Sequence, residues 1–269
     1  GNTPTNPLMY LLLDAHYYFW LLQISNLFED GTFALQSLTI IATLAIVFPV
    51  VLAAGKRNNK VLMYPLLFVI FLHPRFIDLV AGNIRSGCAL AILISALNMK
   101  DSKLKYLLIF ISPTFHLGTL PLIFLYFIHK YWKVVIPRFL SGSEVKTVFI
   151  FFMAGPLCLG AKIIFPERGG GEWEGRFAYT VAIILLSAVV FFLGKHFVNN
   201  KFGFLSLGLI SIVLWGAILD YSTMRYFSFF FPFFATAVLH FHRQYQPLLL
   251  LLFVITAFTL ISHSTYLLV

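Results

Sequence analysis

The sequence predicts an all-α, polytopic integral membrane protein of about nine spans or half-spans, one of them a re-entrant helical hairpin near residues 106–128. Three observations predict it. Of the 269 residues, 60% are hydrophobic and only 11% charged, a balance foreign to a soluble domain of this size. Apolar runs close to the roughly 20 residues that cross a bilayer recur along the whole chain. The cations behind the formal net charge of +9 fall in short loops between those runs, where they orient a membrane protein, so the basic balance does not point to nucleic acid. The chain reads as a single helical membrane domain over residues 1–269.

Residues 1–7 (GNTPTNP) are polar and turn-forming. Residues 8–28 are apolar but carry Asp14 and His16 among Tyr10, Tyr17, Tyr18 and Trp20, the aromatic pattern of a helix lying at the membrane interface. After Glu29, Asp30 and Gly31, residues 32–54 form a span, followed by a basic loop with Lys56, Arg57 and Lys60. A span from Val61 to about Leu72 turns polar at His73, Pro74, Arg75 and Asp78. A helix over about 84–99 leads to a second basic loop with Lys100, Lys103 and Lys105. Residues 106–128 are long enough for one crossing, yet Pro113, Gly118 and Pro121 interrupt the middle. Later spans are expected at about 147–165, 177–193, 202–219, 227–239 and 247–265. Cys88 and Cys158 lie inside apolar runs with no ligand spacing between them, so they read as packing residues, with no metal and no disulfide. There is neither an initiating Met nor a signal-peptide pattern, and a start inside a longer natural protein is expected.

Loop charge decides how residues 106–128 are threaded. If they dip in and return, the cytoplasmic side holds Lys56, Arg57, Lys60, Lys100, Lys103, Lys105, Lys130, Lys133, Arg138, Lys146, Lys195, Lys201 and Arg243, thirteen cations against five outside. A single crossing makes the tally nine against nine, with Lys162 set aside because it sits within a span and reads as snorkelling outward. The hairpin therefore wins, with His116 near its tip. Two half-helices of about 12 residues reach only about 18 Å each, and such broken helices are tolerated where they line a cavity.

This threading places only arginines among the outside cations: Arg75, Arg85, Arg168, Arg176 and Arg225. Arginine is the side chain suited to bidentate phosphate recognition. Arg85 stands at the start of an apolar helix, whose N-terminus adds its own positive end, so the two together make a place for a phosphate. A second reading of Arg85, snorkelling to the lipid head groups, remains open. Gly169, Gly170 and Gly171 form a flexible external loop or a lid over a substrate. His240 and His242 read as interfacial. There is no Gly-x-Ser-x-Gly, no His-Glu-x-x-His and no phosphate-binding P-loop.

The run Asn83-Ile84-Arg85-Ser86-Gly87-Cys88-Ala89-Leu90-Ala91, then a Lys-rich turn, an apolar run and Phe115-His116, resembles the EpsG-type branch of the Wzy polysaccharide polymerases. The likeness covers about residues 10–130, with Arg225-Tyr226-Phe227 similar to a late Arg-aromatic feature of that family. Ser86 replaces the usual Gln, Leu-Gly-Thr follows His116 where a small-Ser-Ala pattern is common, and Asp14-Ala15-His16-Tyr17-Tyr18 stands where Glu-Pro-Gly-aromatic is frequent. Members are usually longer at the N-terminus, which implies a further span before this sequence.

The resemblance implies a metal-independent membrane glycosyltransferase without cofactor. It would join undecaprenyl-pyrophosphate-linked repeat units into an O-antigen, capsule or exopolysaccharide on the periplasmic face of the bacterial inner membrane. Its implied partners are the lipid-linked glycan donor and acceptor, the lipid bilayer and a chain-length regulator. Such a reaction needs a cationic seat for the leaving pyrophosphate, a base or positioning group for the acceptor hydroxyl, and an apolar groove for the polyprenyl tail. Arg85, Arg75 and Arg225 are candidates for the first, and His116, Asp78 or Asp14 for the second. The 31 phenylalanines suit the third, or simply face lipid. A transporter or flippase of a lipid-linked glycan would also bind pyrophosphate in an Arg-lined cavity, but would favour inverted repeats, and none is visible. A membrane acyltransferase or glycan ligase is the other rival.

Overall fold

The computed structural model describes residues 31–55, 60–135, 142–164, 177–221, 223–239 and 246–267, and among these every regular element is a helix. In chain order they are α1 (Gly31–Gly55), α2 (Lys60–Leu72), α3 (Pro74–Ile77), a π-turn (Asp78–Gly82), α4 (Ile84–Asn98), α5 (Lys103–Phe115), a 3-10 turn (Leu117–Thr119), α6 (Leu120–Val135), α7 (Ser143–Ile164), α8 (Phe177–Phe197), α9 (Lys201–Ile218), α10 (Met224–Val238) and α11 (Gln246–Leu267). The interfacial helix expected over residues 8–28 lies outside the described residues.

Among the described residues, Thr32–Gly55, Ser143–Ile163 and Lys201–Ile218 are long and apolar enough to cross a membrane, or four spans result if Met63–Leu72 and Pro74–Gly82 count as one bent by 60°. Shorter apolar helices include Ile84–Asn98 and Tyr226–Val238. A 15-residue helix reaches about 22 Å, short of the roughly 30 Å hydrocarbon layer. A row of large apolar side chains on α1 is open to the surroundings, among them Ile40, Ile41, Leu44, Phe48 and Leu52. Soluble surfaces do not carry such a row, so these apolar helices mark a membrane-embedded protein. Hydroxyls within them are satisfied locally: Thr39 donates to the Leu35 carbonyl at 3.0 Å and Thr43 to that of Thr39 at 2.7 Å.

The chain divides into two compact units, Gly1–Pro49 with Asp78–Ile123, and Val50–Ile77 with Phe124–Val269. In the first, α4 and α5 form a helical hairpin, and both the π-turn and the 3-10 turn pack on α4. The link between the helices is capped by Ser102, whose Oγ accepts from Lys105 N–H at 3.2 Å. Lys105 is buried and meets Asp101 at 2.7 Å, so this lysine is a packed, paired residue as well as a loop charge. Helix α5 stops at Phe115 and α6 begins at Leu120, which sets the break where Pro113, Gly118 and Pro121 predict it. Pro121 falls in the first turn of α6, where its missing N–H costs no helical bond.

In the second unit α9 is the core, packed against α7, α8 and α10, while α11 lies on α2 and α8. Its residues from Phe202 to Val213 are buried on all sides, and 72% of its spanning window is buried against 22% for α1. Gly155 of α7 makes the α7–α9 crossing possible, because a Cβ there would lie 2.9 Å from the Trp215 ring. That ring's Nε1 donates to the Phe151 carbonyl at 2.8 Å. Lys162, expected to snorkel outward, has a hydrogen-bond partner within the chain. Its Nζ donates to the Leu219 carbonyl at 2.6 Å, satisfying the open C-terminal end of α9. The phenylalanines divide by position: Phe227, Phe229, Phe230, Phe231, Phe233 and Phe234 of α10 are wholly buried, whereas Phe48, Phe68, Phe152 and Phe192 face outward.

The polar stretch after Leu72 is helical from Pro74 to Gly82. Pro74 has no N–H to lose at a first helical position, and the His73 carbonyl accepts from Phe76 N–H at 2.8 Å and Ile77 N–H at 3.1 Å. His73 also caps with its side chain, Nδ1 accepting from Arg75 N–H at 3.2 Å. That bond fixes the tautomer with the proton on Nε2.

Candidate functional site

The first unit gathers four of the chemistry-bearing side chains at one end of the α4–α5 hairpin. Helix α4 begins at Ile84, and the Asn83 side chain makes no capping bond to it, so its first N–H groups are left for another acceptor. Arg85 is the second residue of this helix and half-buried. Ser86 is fully buried, and its hydroxyl has no hydrogen-bond partner among the described residues, unlike Ser187 and Ser206, which donate to carbonyls four residues back at 2.7 Å. A buried hydroxyl without a partner is costly, so this donor beside a guanidinium calls for an acceptor that the described residues do not supply.

The π-turn holds this helix start in place. Asn83 N–H donates to the Asp78 carbonyl at 2.7 Å, and the Asp78 carboxylate folds back so closely over Gly82 that any Cβ there would collide with its Oδ1. Gly87 lets the turn approach: a Cβ at 87 would stand 2.9 Å from the Leu79 carbonyl oxygen and 3.2 Å from Val80 Cα. The exposed Asp78 carboxylate is thereby set beside the first turn of α4.

His116 arrives from the other helix. Because α4 and α5 are joined by the short stretch 99–102 and pack side by side, they run antiparallel, and the end of α5 returns to the start of α4. His116 is buried to 6% exposure at this break. Its N–H bonds the Ser112 carbonyl at 3.3 Å, and its carbonyl accepts from the Thr119 N–H at 3.2 Å and hydroxyl at 3.0 Å. Ser112 Oγ donates to Thr119 Oγ1 at 3.2 Å. Thr119 therefore closes the break in the backbone.

Arg75 and Arg225 belong to the second unit. Arg75 is half-buried on α3, which packs against α10, and Arg225 is the second residue of α10. Just before Arg75, the fully buried His73 stacks on Phe231 at 4.2 Å and meets Phe227 edge-on at 6.0 Å. Asp14, Arg168, Arg176 and Gly169 to Gly171 lie outside the described residues.

Sequence reasoning missed Ser86, Thr119 and His73 as participants. For Ser86 a signal existed, since it stands where the resembled family carries a polar Gln. For Thr119 and His73 there was none beyond their nearness to prolines. No group of three or more His, Cys, Asp and Glu able to hold a metal occurs among the described residues. Comparison with protein families, with curated proteins and with solved structures finds no match to this chain.

Proposed function

We propose that this chain is a polytopic membrane glycosyltransferase of the Wzy type, with about nine spans or half-spans including a re-entrant hairpin over 106–128. In this reading it polymerises undecaprenyl-pyrophosphate-linked repeat units on the periplasmic face of the bacterial inner membrane. The observation that carries the reading is the uncapped start of α4, where Arg85 and the partnerless Ser86 hydroxyl stand at the same hairpin end as Asp78 and His116. A diphosphate fits that donor set: the guanidinium fork, the hydroxyl and the helix N–H groups all stabilise the charge that grows on the leaving group. The acceptor hydroxyl oxygen forms a bond to the donor's anomeric carbon as that carbon's bond to the pyrophosphate oxygen breaks. The hydroxyl proton passes to a base, for which His116 and Asp78 are the candidates in this unit, with Asp14 the candidate outside the described residues. The apolar helix surfaces accommodate the polyprenyl chains of donor and acceptor.

The test is the Arg85→Lys variant, which keeps the charge and loses the fork. Surface polysaccharide should collapse from long chains to single repeats on a gel while the protein still inserts. A normal ladder would reduce Arg85 to a snorkelling residue and remove the main support for the reading. Polymer made by the purified chain from lipid-linked repeats separates this function from that of a flippase, which moves such units without lengthening them.

A further inference from the structure

A second polar cluster lies in the other unit, where α6 ends and α7 and α9 begin. Lys146, in the first turn of α7, is buried to 8% exposure. Its Nζ donates to the neutral amide oxygen of Asn199 at 2.9 Å and stands 5.6 Å from the centre of the Trp132 ring. Trp132 is 2% exposed and is fixed by edge contacts with Phe149 at 5.0 Å and Phe204 at 6.2 Å. Its indole Nε1, which can only donate, is buried with no acceptor among the described residues. One turn earlier His129 packs on the same Phe204 ring at 5.0 Å, and its Nδ1 is likewise buried without a hydrogen-bond partner among the described residues. Both Lys146 and Lys201 act electrostatically on that imidazole.

Two ring nitrogens without a hydrogen-bond partner among the described residues lie against Phe204, beside a buried ammonium whose acceptor is the neutral Asn199 amide. A water molecule would satisfy the nitrogens but not the concentration of positive charge. A phosphate oxygen satisfies both. The location agrees, because α7 and α9 are span-length helices that begin here, and the phosphates of a bilayer lie at the level where spans begin. Tyr131 and Val134, on the same stretch of α6, are open to the surroundings as an acyl-chain contact requires.

We propose that Lys146, Trp132, His129 and Lys201 form a binding site for a phosphate group, carried either by an anionic lipid head group or by a soluble phosphate. The site stands on the second unit alone and does not depend on the polymerase reading.

The test uses the full chain in nanodiscs of phosphatidylcholine, of phosphatidylcholine with phosphatidylglycerol, and of phosphatidylcholine with millimolar inorganic phosphate, followed by thermal unfolding. Phosphatidylglycerol, inorganic phosphate or both should raise the midpoint by several degrees. Trp132→Phe keeps the aromatic packing and removes one donor, and Lys146→Gln removes the charge. Each should lose at least half of that gain, and Trp132→Phe should unfold in plain phosphatidylcholine as the unaltered chain does. A gain from phosphatidylglycerol alone identifies a lipid head group, whereas a gain from phosphate identifies a soluble ligand. If Lys146→Gln does not fold, Trp132→Phe decides. No gain from either additive, or the full gain kept by Trp132→Phe, would overturn the proposal.

Discussion

The close approach of the π-turn to α4 makes Gly87 a position where one methyl group decides the sign of a stability change. In Gly87→Ala the new Cβ lies 2.9 Å from the Leu79 carbonyl oxygen and 3.2 Å from Val80 Cα. Both are backbone atoms, which cannot rotate away as the end of a side chain would. Alanine gains about 1 kcal/mol of intrinsic helix stability over glycine, while forcing a methyl into a packed contact costs about 1–3 kcal/mol. The net is a destabilisation of about 1 kcal/mol, with the start of α4 pushed away from Asp78. Gly160→Ala in α7 is the matched control, because a Cβ there meets nothing within 4 Å and only the helical gain remains. In thermal unfolding of the purified chain in mild detergent, Gly87→Ala should melt about 2–4 °C lower, and Gly160→Ala should melt level with or above the unaltered chain. Equal gains for both variants would refute the argument, because they would mean that the turn yields freely and does not hold the helix start.

Cysteine labelling in intact spheroplasts tests the threading: position 170 should label from outside and positions 103 and 133 should not, and labelling at 133 but not at 170 would sink the hairpin. His116→Gln keeps hydrogen bonding but cannot act as a base near neutral pH, so a base role requires polymerisation of purified lipid-linked repeats to fall while folding and donor binding persist. Near-normal turnover would move the search to Asp78 and Asp14. His129 carries a pH prediction: burial, and then Lys146 and Lys201, lower its pKa from 6.5 to about 4. The unfolded chain then binds this proton first, so stability is fully present above pH 6.5, declines as the pH falls from 6.5 to about 4, and levels off below. His129→Gln, compared in phosphate-free uncharged detergent, should remove that part of the acid loss, and an unchanged decline would show that other groups cause it.

Much of the helical layout was legible in the sequence because apolar length and proline position act locally. The start and end of α1, the break between Phe115 and Leu120, and the stop of α4 before Lys100 follow from composition and from what proline forbids. The place of Arg85 at the head of α4 was legible too, and an arginine heading an apolar helix has few inexpensive placements. What the sequence could not supply was any quantity that depends on a distant neighbour. It could not pair Lys162, to which the C-terminus of α9, 57 residues further on, offers the Leu219 carbonyl. It read the phenylalanines as groove or lipid-facing bulk, and only packing on α9 decides that those of α10 are core. It showed only that the chain turns polar from His73 to Asp78, because the capping bond from Arg75 N–H to the His73 ring is a property of a folded turn. Partnerless donors are the extreme case. Whether Ser86 or Trp132 lacks an acceptor depends on every other atom near it, so tertiary packing, and no feature of local sequence, leaves those donors without a partner among the described residues.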